Sequence, residues 1–396
     1  MGKRPYQQPR TRFDRPDDLA AGEPPESRGL TRDGVRLLAA SGDSIEHARF
    51  TDLGRFLRPG DLLVVNTSAT RPAAVDGFHP RLGPVVVHFS TRLDDGSWVI
   101  ELRTAPSADK PVDIAGVQDR VKLLNGPELT LRSRYPQPDR RSQSNPNPQP
   151  HPNPQPHPHS QPHPHSQAGA ITPQRLWRTQ ELPPQTIERL CAHQGRPIRY
   201  GYLSSEWPLA MYQTVFADPD DPQAGAEMPS AGRPFSTELV SRLIGRGVLF
   251  APIALHCGVS SLESGEAPPA ERYRVPARTA MLANWVRGIG LLPGQTPRTP
   301  GRVIAVGTTV TRALESAVDP QGRVHPADGW TELVLGPDHA ARAVTGLITG
   351  LHDPDASHLL LLEAVAGAEL VQRAYDAAIR RRYLWHEFGD TCLLIP

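Results

Sequence analysis

The stretch RVIAVGTTVTRALES, from Arg302 to Ser316, combines three structural signals in fifteen residues. Val303–Val306 form a short apolar run, a Gly-Thr-Thr sequence follows, and a stretch typical of a helix begins at once. A buried strand that passes through a tight turn into a helix is characteristic of α/β proteins. This stretch therefore predicts an α/β layer structure in which the turn at Gly307 lies at a strand end.

Three other apolar runs end in polar residues in the same way. They are Leu62–Val65 before Asn66 and Thr67, the run from Val248 before His256, Cys257 and Gly258, and Leu347 and Ile348 before His352, Asp353 and Pro354. Ligands of open α/β sheets bind beyond the carboxyl ends of the strands. Four polar strand ends therefore predict one shared ligand site.

Two helices next to these strands carry recognisable end signals. Ser236 or Thr237 can cap the helix STELVSRLIGRG, and glycines at 245 and 247 can end it. Asp355 or Ser357 is expected to cap the helix that follows the fourth strand. Strand and helix thus alternate on both sides of the predicted site.

The Gly-Thr-Thr turn has the chemistry of an anion or hydroxyl site. The first N–H groups of a helix lack partners and carry partial positive charge, and a glycine at 307 allows close approach. Thr308 and Thr309 could contact a ligand such as a carboxylate, a phosphate or a ribose hydroxyl. A purely structural role, in which one of them caps the helix, is equally compatible with the sequence.

The histidines and the cysteine at the other strand ends also allow structural roles. A single histidine at a strand end is often only a hydrogen-bonding residue, but His256 and His352 together favour a site. Cys257 neighbours His256, and adjacent strand residues point to opposite faces, so the two would not form a nucleophilic pair. A buried, inert thiol is the favoured interpretation of Cys257.

Between Thr70 and residue 135 the pattern changes to short β-like runs. These runs are GPVVVHFS, GSWVIELR, PVDIAG, VKLLN and ELTLRS, separated by turn-forming residues. They predict a small β-barrel inserted into the α/β domain. We assign residues 1–68 and 196–396 to the α/β domain, and 69–195 to the inserted domain.

A low-complexity segment rich in proline and histidine interrupts the inserted domain at about residues 135–170. It contains almost no apolar residues and therefore cannot offset the entropy cost of folding, which predicts a disordered loop. Its histidines at positions 151, 157, 159, 163 and 165 could chelate a metal. A repeat-expanded linker is the favoured interpretation, and no metal is expected in the protein.

The overall composition excludes several classes of protein. There are 43 basic and 42 acidic residues, and a formal charge of +1 does not favour general binding to nucleic acid or anionic lipid. Three cysteines without metal-ligand spacing argue against a disulfide framework. The sequence has neither an apolar signal segment nor a membrane-spanning run. We expect a soluble, cytoplasmic and monomeric protein.

Several motifs, in order along the chain, resemble the S-adenosylmethionine:tRNA ribosyltransferase-isomerase family of queuosine biosynthesis. They are TRDGVRLL, LRPGDLLVVN, YQTVFA, PSAGRPFS, LHCG, AVGTTVTRALE, TGLHDP, EAVAG and YLWHEFGDTCLLI. The resemblance runs from about Phe13 to the C-terminus and is interrupted by the low-complexity segment. It implies an α/β domain interrupted by a small β-barrel.

The resemblance also implies a reaction. The ribosyl part of S-adenosylmethionine moves onto the 7-aminomethyl-7-deazaguanine base in a tRNA anticodon, giving epoxyqueuosine, while adenine and methionine leave. S-adenosylmethionine is a co-substrate, and no other cofactor is implied. Because Gly307, Thr308, Thr309 and Arg312 match the family motif, they are predicted to bind substrate, and Asn66 is predicted to join them. A general base is also required, because a proton next to the sulfonium must be removed.

Two departures from the family pattern bear on the general base. Pro234 and Pro269 stand where the resemblance implies histidines, and proline can neither transfer a proton nor donate a hydrogen bond. The remaining catalytic candidates are His256, Glu271, His352 and Asp390. One alternative is a paralogue that binds S-adenosylmethionine or a nucleotide without transferring ribose to tRNA. A pure RNA-binding module is disfavoured by the near-zero charge.

Overall fold

The computed structural model describes residues 8–136, 175–183, 185–259, 268–290, 300–336, 339–354 and 356–396. The strands in these ranges are β1 Arg36–Ser41, β2 Ser44–Arg49, β3 Leu62–Asn66, β4 Ala74–His79, β5 Gly83–Arg92, β6 Ser97–Thr104, β7 Arg120–Leu123, β8 Glu128–Tyr135, β9 Leu176–Glu181, β10 Leu249–Leu255, β11 Glu271–Val275, β12 Val303–Val306, β13 Ala327–Thr331, β14 Gly346–Thr349 and β15 Thr391–Ile395. The α-helices are α1 Thr186–Gln194, α2 Thr237–Gly245, α3 Ala277–Val286, α4 Thr308–Ser316, α5 Ser357–Ala366 and α6 Ala368–Arg380.

Nine strands form one mixed sheet in the order β13-β11-β10-β3-β12-β14-β15-β1-β2. The four strands with predicted polar ends, β10, β3, β12 and β14, are adjacent, and each pairs with its neighbour in parallel. Their carboxyl ends therefore meet at one edge of the sheet. This arrangement confirms the predicted α/β fold class.

Strict alternation along the central strands gives the sheet two apolar faces. Leu62 and Val64 belong to the core shared with helices α3 to α6, whereas Leu63 and Val65 belong to the core shared with α2. All four side chains are buried, as expected for strands covered on both faces. Burial on both sides explains why the sequence shows uninterrupted apolar runs here.

The remaining six strands form a closed barrel in the order β4-β5-β6-β9-β8-β7. The barrel confirms the predicted β unit, and its strands lie in the chain between β3 and β10, so it is inserted into the α/β domain. Sequence patterns missed β4 and β9, and the run PVDIAG forms no strand beyond an isolated bridge at Pro111. The domain boundaries at residues 68 and 196 stay predictions.

The predicted helix caps have mixed outcomes. Ser236 caps α2, because its hydroxyl accepts a hydrogen bond from the Leu239 N–H. Ser357 is instead the first residue of α5, with Ala356 in the cap position, so that prediction is wrong. The backbone of Ala356 is still extended, and the helix starts directly after it. Asp355 lies outside the described residues.

Most of the predicted proline- and histidine-rich loop falls on residues 137–174, outside the described part of the chain. Both interpretations of its histidines, as linker and as metal ligands, lie there too. Elsewhere in the described ranges, no group of three or more His, Cys, Asp or Glu side chains could hold a metal ion. None of the helices described is both long and apolar enough to cross a membrane.

Candidate functional site

A cavity of about 480 Å³ opens at the shared carboxyl edge of the four parallel strands. Strand-end segments supply its floor, and they contribute Cys257, Gly307, Thr308, Thr309, Thr349 and His352. Segments from elsewhere in the chain supply its walls, and they contribute Arg15, Arg103, Tyr200, Tyr202, Glu227, Glu271, His358, His386 and Glu387. The predicted convergence of strand ends is therefore present as a pocket of a size typical for small-molecule sites.

The turn between β12 and α4 brings backbone into the cavity. Gly307 has a φ of +104° and a ψ of 156°, a conformation that is essentially restricted to glycine. Its N–H donates to the Ile348 carbonyl over 2.8 Å, which fixes the turn against β14. The first N–H groups of α4 have no acceptor within the helix, so they are available to an anionic or hydroxyl group in the cavity.

Asn66 positions Thr309 and uses its whole amide to do so. Its Nδ2 donates to the Leu255 carbonyl over 2.8 Å and to Thr309 Oγ1 over 3.3 Å. Its Oδ1 accepts from the N–H groups of Ser68 and Leu255. Because these bonds occupy both donors and both acceptor sites, Asn66 acts in this structure as a link between β3, β10 and α4.

Arg312 and Glu271 form a buried ion pair at the side of the cavity. Arg312 Nη1 donates to Glu271 Oε2 over 2.5 Å, and its other nitrogens donate to the carbonyls of Pro269, Thr331 and Leu333. Burial raises the pKa of Glu271 despite the opposing charge of Arg312. The pair therefore anchors the segments around β11 and β13 and places one carboxylate at the cavity surface.

Two stacked imidazoles also line the cavity, one after β14 and one in α5. The rings of His352 and His358 are 4.6 Å apart and nearly parallel, with 6° between their planes. His352 Nε2 shares a hydrogen bond of 2.9 Å with Thr349 Oγ1, and its carbonyl accepts from Trp385 Nε1. Burial lowers the pKa of His352 well below its usual value, and it lowers the pKa of His358 to about 4. Both rings are therefore neutral at neutral pH, and the same burial makes each a weaker proton acceptor than a free imidazole.

The acidic aromatic wall, formed by Tyr200, Tyr202, Glu227, His386 and Glu387, closes one flank of the cavity. The hydroxyl of Tyr200 donates to Glu227 Oε1, and that of Tyr202 donates to Glu387 Oε2. The two tyrosine rings stack with centroids 6.1 Å apart, and Tyr202 stacks on His386 at 4.0 Å. The wall thus joins the segment after the barrel to the C-terminal segment.

His256 lies outside the cavity, on the other side of its strand end from Cys257. Its Nδ1 shares a hydrogen bond of 3.0 Å with Ser68 Oγ, and its Nε2 is 3.9 Å from the carboxylate of Asp221. Burial lowers the pKa of His256 to about 4, while Asp221 opposes that shift. Burial also raises the pKa of the Cys257 thiol well above its usual value. The structure therefore separates the two side chains, and Cys257 faces the cavity as a neutral thiol.

Asp390 also lies away from the cavity. Its carboxylate accepts hydrogen bonds from the Nε and Nη2 of Arg36 and from the N–H groups of Arg36 and Leu384. These contacts hold the start of β1 against the C-terminal segment and account for the burial of the carboxylate. The catalytic roles predicted for Asp390 and His256 stay predictions, and of the four catalytic candidates only His352 and Glu271 line the cavity.

Much of the cavity wall consists of residues that sequence patterns do not predict. His358, Arg103, Glu227, Glu387 and the two tyrosines reach the cavity only through long-range packing. One local signal was present for His358, which lies six residues after His352 at the start of the next helix. For the others, the chain offered single polar residues in irregular segments, and such residues carry no periodic pattern.

Sequence comparisons with known proteins match nearly the whole chain. A family model described as queuosine biosynthesis protein matches residues 10–394. The S-adenosylmethionine:tRNA ribosyltransferase-isomerase of Pelotomaculum thermopropionicum is 29% identical over 384 residues, covering 96% of this chain and 97% of the relative. The protein of the same name from Symbiobacterium thermophilum is 29% identical over 393 residues, covering 97% and 98%.

Among solved structures, the S-adenosylmethionine tRNA ribosyltransferase of Thermotoga maritima is 24% identical and has a TM-score of 0.46. That similarity covers 97% of this chain and 99% of the other. The family model matches nearly the whole chain, and the resemblance seen in the ordered motifs agrees with it. The chain therefore belongs to the queuosine biosynthesis protein family.

Proposed function

We propose that the protein transfers the ribosyl part of S-adenosylmethionine onto the 7-aminomethyl-7-deazaguanine base of a tRNA. One carbon of the ribosyl group forms a bond to the aminomethyl nitrogen, the bonds from the ribose to adenine and to the methionine sulfur break, and the product is epoxyqueuosine. Full-length similarity to relatives named for this activity supports the proposal. The observation that carries it is the cavity at the carboxyl edge of the sheet, where a helix N-terminus and neutral imidazoles meet.

The floor of the cavity suits the polar ends of S-adenosylmethionine. The N-terminus of α4 offers unpaired N–H groups to a carboxylate, and the hydroxyls of Thr308 and Thr309 suit ribose hydroxyls. Asn66 contributes indirectly, because it fixes the Thr309 hydroxyl. Arg312 acts through Glu271, since its nitrogens already donate to that carboxylate and to three carbonyls.

A neutral imidazole in the cavity meets the need for a general base. The reaction requires removal of a proton from the carbon next to the positively charged sulfur, and an imidazole can accept one. His352 is held by Thr349 on one side and by the stacked ring of His358 on the other. We assign the base to His352, with His358 as the ring that orients it.

The remaining parts of the proposal concern partners and location. The acceptor is the anticodon region of a tRNA, which approaches the cavity from its open side. The protein acts as a monomer in the cytoplasm, where tRNA is present, and it uses no cofactor beyond S-adenosylmethionine. A near-neutral formal charge means that tRNA affinity comes from local contacts.

Release of adenine tests the proposal directly. Purified protein is incubated with S-adenosylmethionine and tRNA that carries the aminomethyl base, and adenine is measured by chromatography while the tRNA is weighed by mass spectrometry. Wild type should release adenine and add the ribosyl mass to the tRNA. His352→Ala should lower the rate by about 10² to 10⁴, the usual contribution of a general base.

A matched control separates catalysis from folding. His325 is another histidine, paired with Asp319 on the surface and away from the cavity, so His325→Ala should keep the wild-type rate. If wild type binds S-adenosylmethionine but releases no adenine and adds no mass, the transfer proposal is wrong. That outcome would support the alternative of a paralogue that binds the ligand without the tRNA reaction.

A further inference from the structure

The acidic aromatic wall brings the carboxylate of Glu387 to the surface of the cavity. Two other carboxylates of the cavity have arginine partners: Glu271 pairs with Arg312 at 2.5 Å, and Asp353 pairs with Arg15 at 2.7 Å. Glu387 differs, because within the described residues it accepts a hydrogen bond from Tyr202 and forms no ion pair. Glu387 thus gives the wall a negative charge that has no ion-pair partner among the described residues.

The two carboxylates of the wall act together. Burial raises the pKa of Tyr200 and of Tyr202 well above the usual value. The negative charges of Glu227 and Glu387 raise the pKa of each phenol further. Both phenols therefore stay protonated and donate to their carboxylates. A phenol donor orients a carboxylate but adds no positive charge, so the negative potential of the wall remains.

The aromatic rings strengthen the preference for a cation. The faces of tyrosine rings carry negative electrostatic potential and attract cations within about 6 Å, most strongly where water is excluded. Tyr200 already shows this property, since the Arg103 guanidinium lies 6.0 Å from its ring centroid. Rings and carboxylates in one wall favour a compact organic cation over a neutral group of the same shape.

We propose that the acidic aromatic wall binds the cationic group of the substrate, the sulfonium of S-adenosylmethionine, and so selects it over the neutral thioether. This assignment rests on the proposed function for its ligand. The aminomethyl group of the acceptor base is also a compact organic cation when protonated. The shared chemistry is a cation next to carboxylates and ring faces, and the experiment distinguishes its two sources.

A binding measurement without turnover tests the wall. Calorimetric titration compares S-adenosylmethionine with S-adenosylhomocysteine, which lacks the positive charge and one methyl group. Wild type should prefer the sulfonium by about tenfold or more, as expected for one cation contact. Glu387→Gln should reduce this preference to below about threefold, because only the binding of S-adenosylmethionine becomes weaker. The amide still accepts a hydrogen bond from Tyr202 but has no negative charge.

Glu128→Gln provides the matched control. Glu128 is an exposed barrel residue that pairs with Arg120, far from the cavity in the described fold, so its loss should leave the preference unchanged. Equal weakening of both ligands by Glu387→Gln, or equal binding of both by wild type, would overturn sulfonium recognition. A purely structural role of the Tyr202–Glu387 contact would give that first result.

The second source of the cation has its own readout. Kd is measured for tRNA with the aminomethyl base and for tRNA with unmodified guanine at that position. If Glu387→Gln weakens only the aminomethyl tRNA, the wall binds the acceptor cation, and the assignment to the sulfonium is overturned. Binding selectivity in a wild type that releases no adenine would support the wall and count against the proposed reaction.

Discussion

The barrel wall and the cavity of the α/β domain treat their carboxylates differently. Glu101 of β6 is fully buried on the face opposite the barrel core, whereas Glu387 at the cavity is half-buried. In the barrel, Glu101 Oε1 accepts from Arg103 at 3.0 Å and from Arg175 at 2.5 Å. Burial alone would raise the pKa of Glu101, but His88, Arg175 and Arg103 together lower it to about 2. In the cavity, Glu387 has only the phenol of Tyr202 as a hydrogen-bond donor among the described residues.

This difference separates structural charge from charge available to a ligand. A buried carboxylate that the protein pairs with cations contributes to a defined fold, and breaking such a pair is costly. A carboxylate whose hydrogen-bond donor is neutral is not compensated by the protein, so its charge can interact with a bound cation. Arg103 connects the two regions, since it binds Glu101 and also lines the cavity.

The largest expected effect is on stability in the barrel. Glu101→Gln leaves two buried arginines without their carboxylate and should lower the free energy of unfolding by about 3 to 5 kcal/mol. Glu387→Gln removes a carboxylate that forms no ion pair, so it should change the free energy of unfolding by less than about 1 kcal/mol. Urea denaturation of both variants measures the contrast, and equal losses would remove the distinction between the regions.

The pH dependence sharpens the same contrast. The folded pKa of Glu101 is lowered from 4.5 to about 2, so its stabilisation is present above pH 4.5 and is lost as the pH falls towards 2. The loss should reach about 3 kcal/mol, from the size of the shift. Denaturation of wild type and Glu101→Gln is measured across this pH range. The difference between their free energies of unfolding should become smaller as the pH falls. If the difference in free energy of unfolding did not change with pH, Glu101 would not be the source of the pH-dependent stability.

A change at Gly307 addresses the floor of the cavity. Gly307→Ala forces a side chain onto a backbone with a φ of +104° and places a Cβ 3.4 Å from that of Ala231. The variant should lose about 1 to 3 kcal/mol of stability, the usual cost of such strain. It should also bind S-adenosylmethionine more weakly, since the N–H groups of α4 shift. Calorimetric titration with S-adenosylmethionine measures the affinity of the variant. An affinity equal to that of wild type would contradict a binding role for this turn.

The smallest expected effect concerns His256. His256→Asn loses the hydrogen bond to Ser68 and should cost about 1 kcal/mol of stability, while adenine release stays within a few-fold of wild type. The reason is its position, because the ring faces away from the cavity. A loss of release above about a hundredfold in a folded variant would instead confirm the catalytic role predicted from the sequence.

The sequence predicted the parts of the molecule that follow local periodicity. Uninterrupted apolar runs gave the parallel strands, and the polar residues after them correctly indicated one edge of the sheet, including Gly307 and His352. Side-chain direction was harder to predict. Asn66 and His256 follow neighbouring strands, yet their side chains turn to backbone and to Ser68, because a single residue decides which face a strand end presents.

Sequence patterns could not predict contacts between segments that are distant in the chain. Tyr202 and Glu387 are separated by 185 residues, and only the packed fold brings the two segments together. Asp390 was a catalytic candidate within the motif YLWHEFGDTCLLI, but its carboxylate turns to Arg36. Such pairings depend on tertiary geometry, which composition and spacing do not encode locally.

Hydrogen–deuterium exchange with and without S-adenosylmethionine tests the central claim most directly. The first N–H groups of α4 have no acceptor within the helix and should exchange quickly in the free protein. With ligand, we predict slower exchange at residues 308–310 and at the segments around 202 and 352, and no change in strands β5 and β6. Protection confined to the barrel, or absent from the turn at Gly307 despite saturating ligand, would contradict the placement of the site.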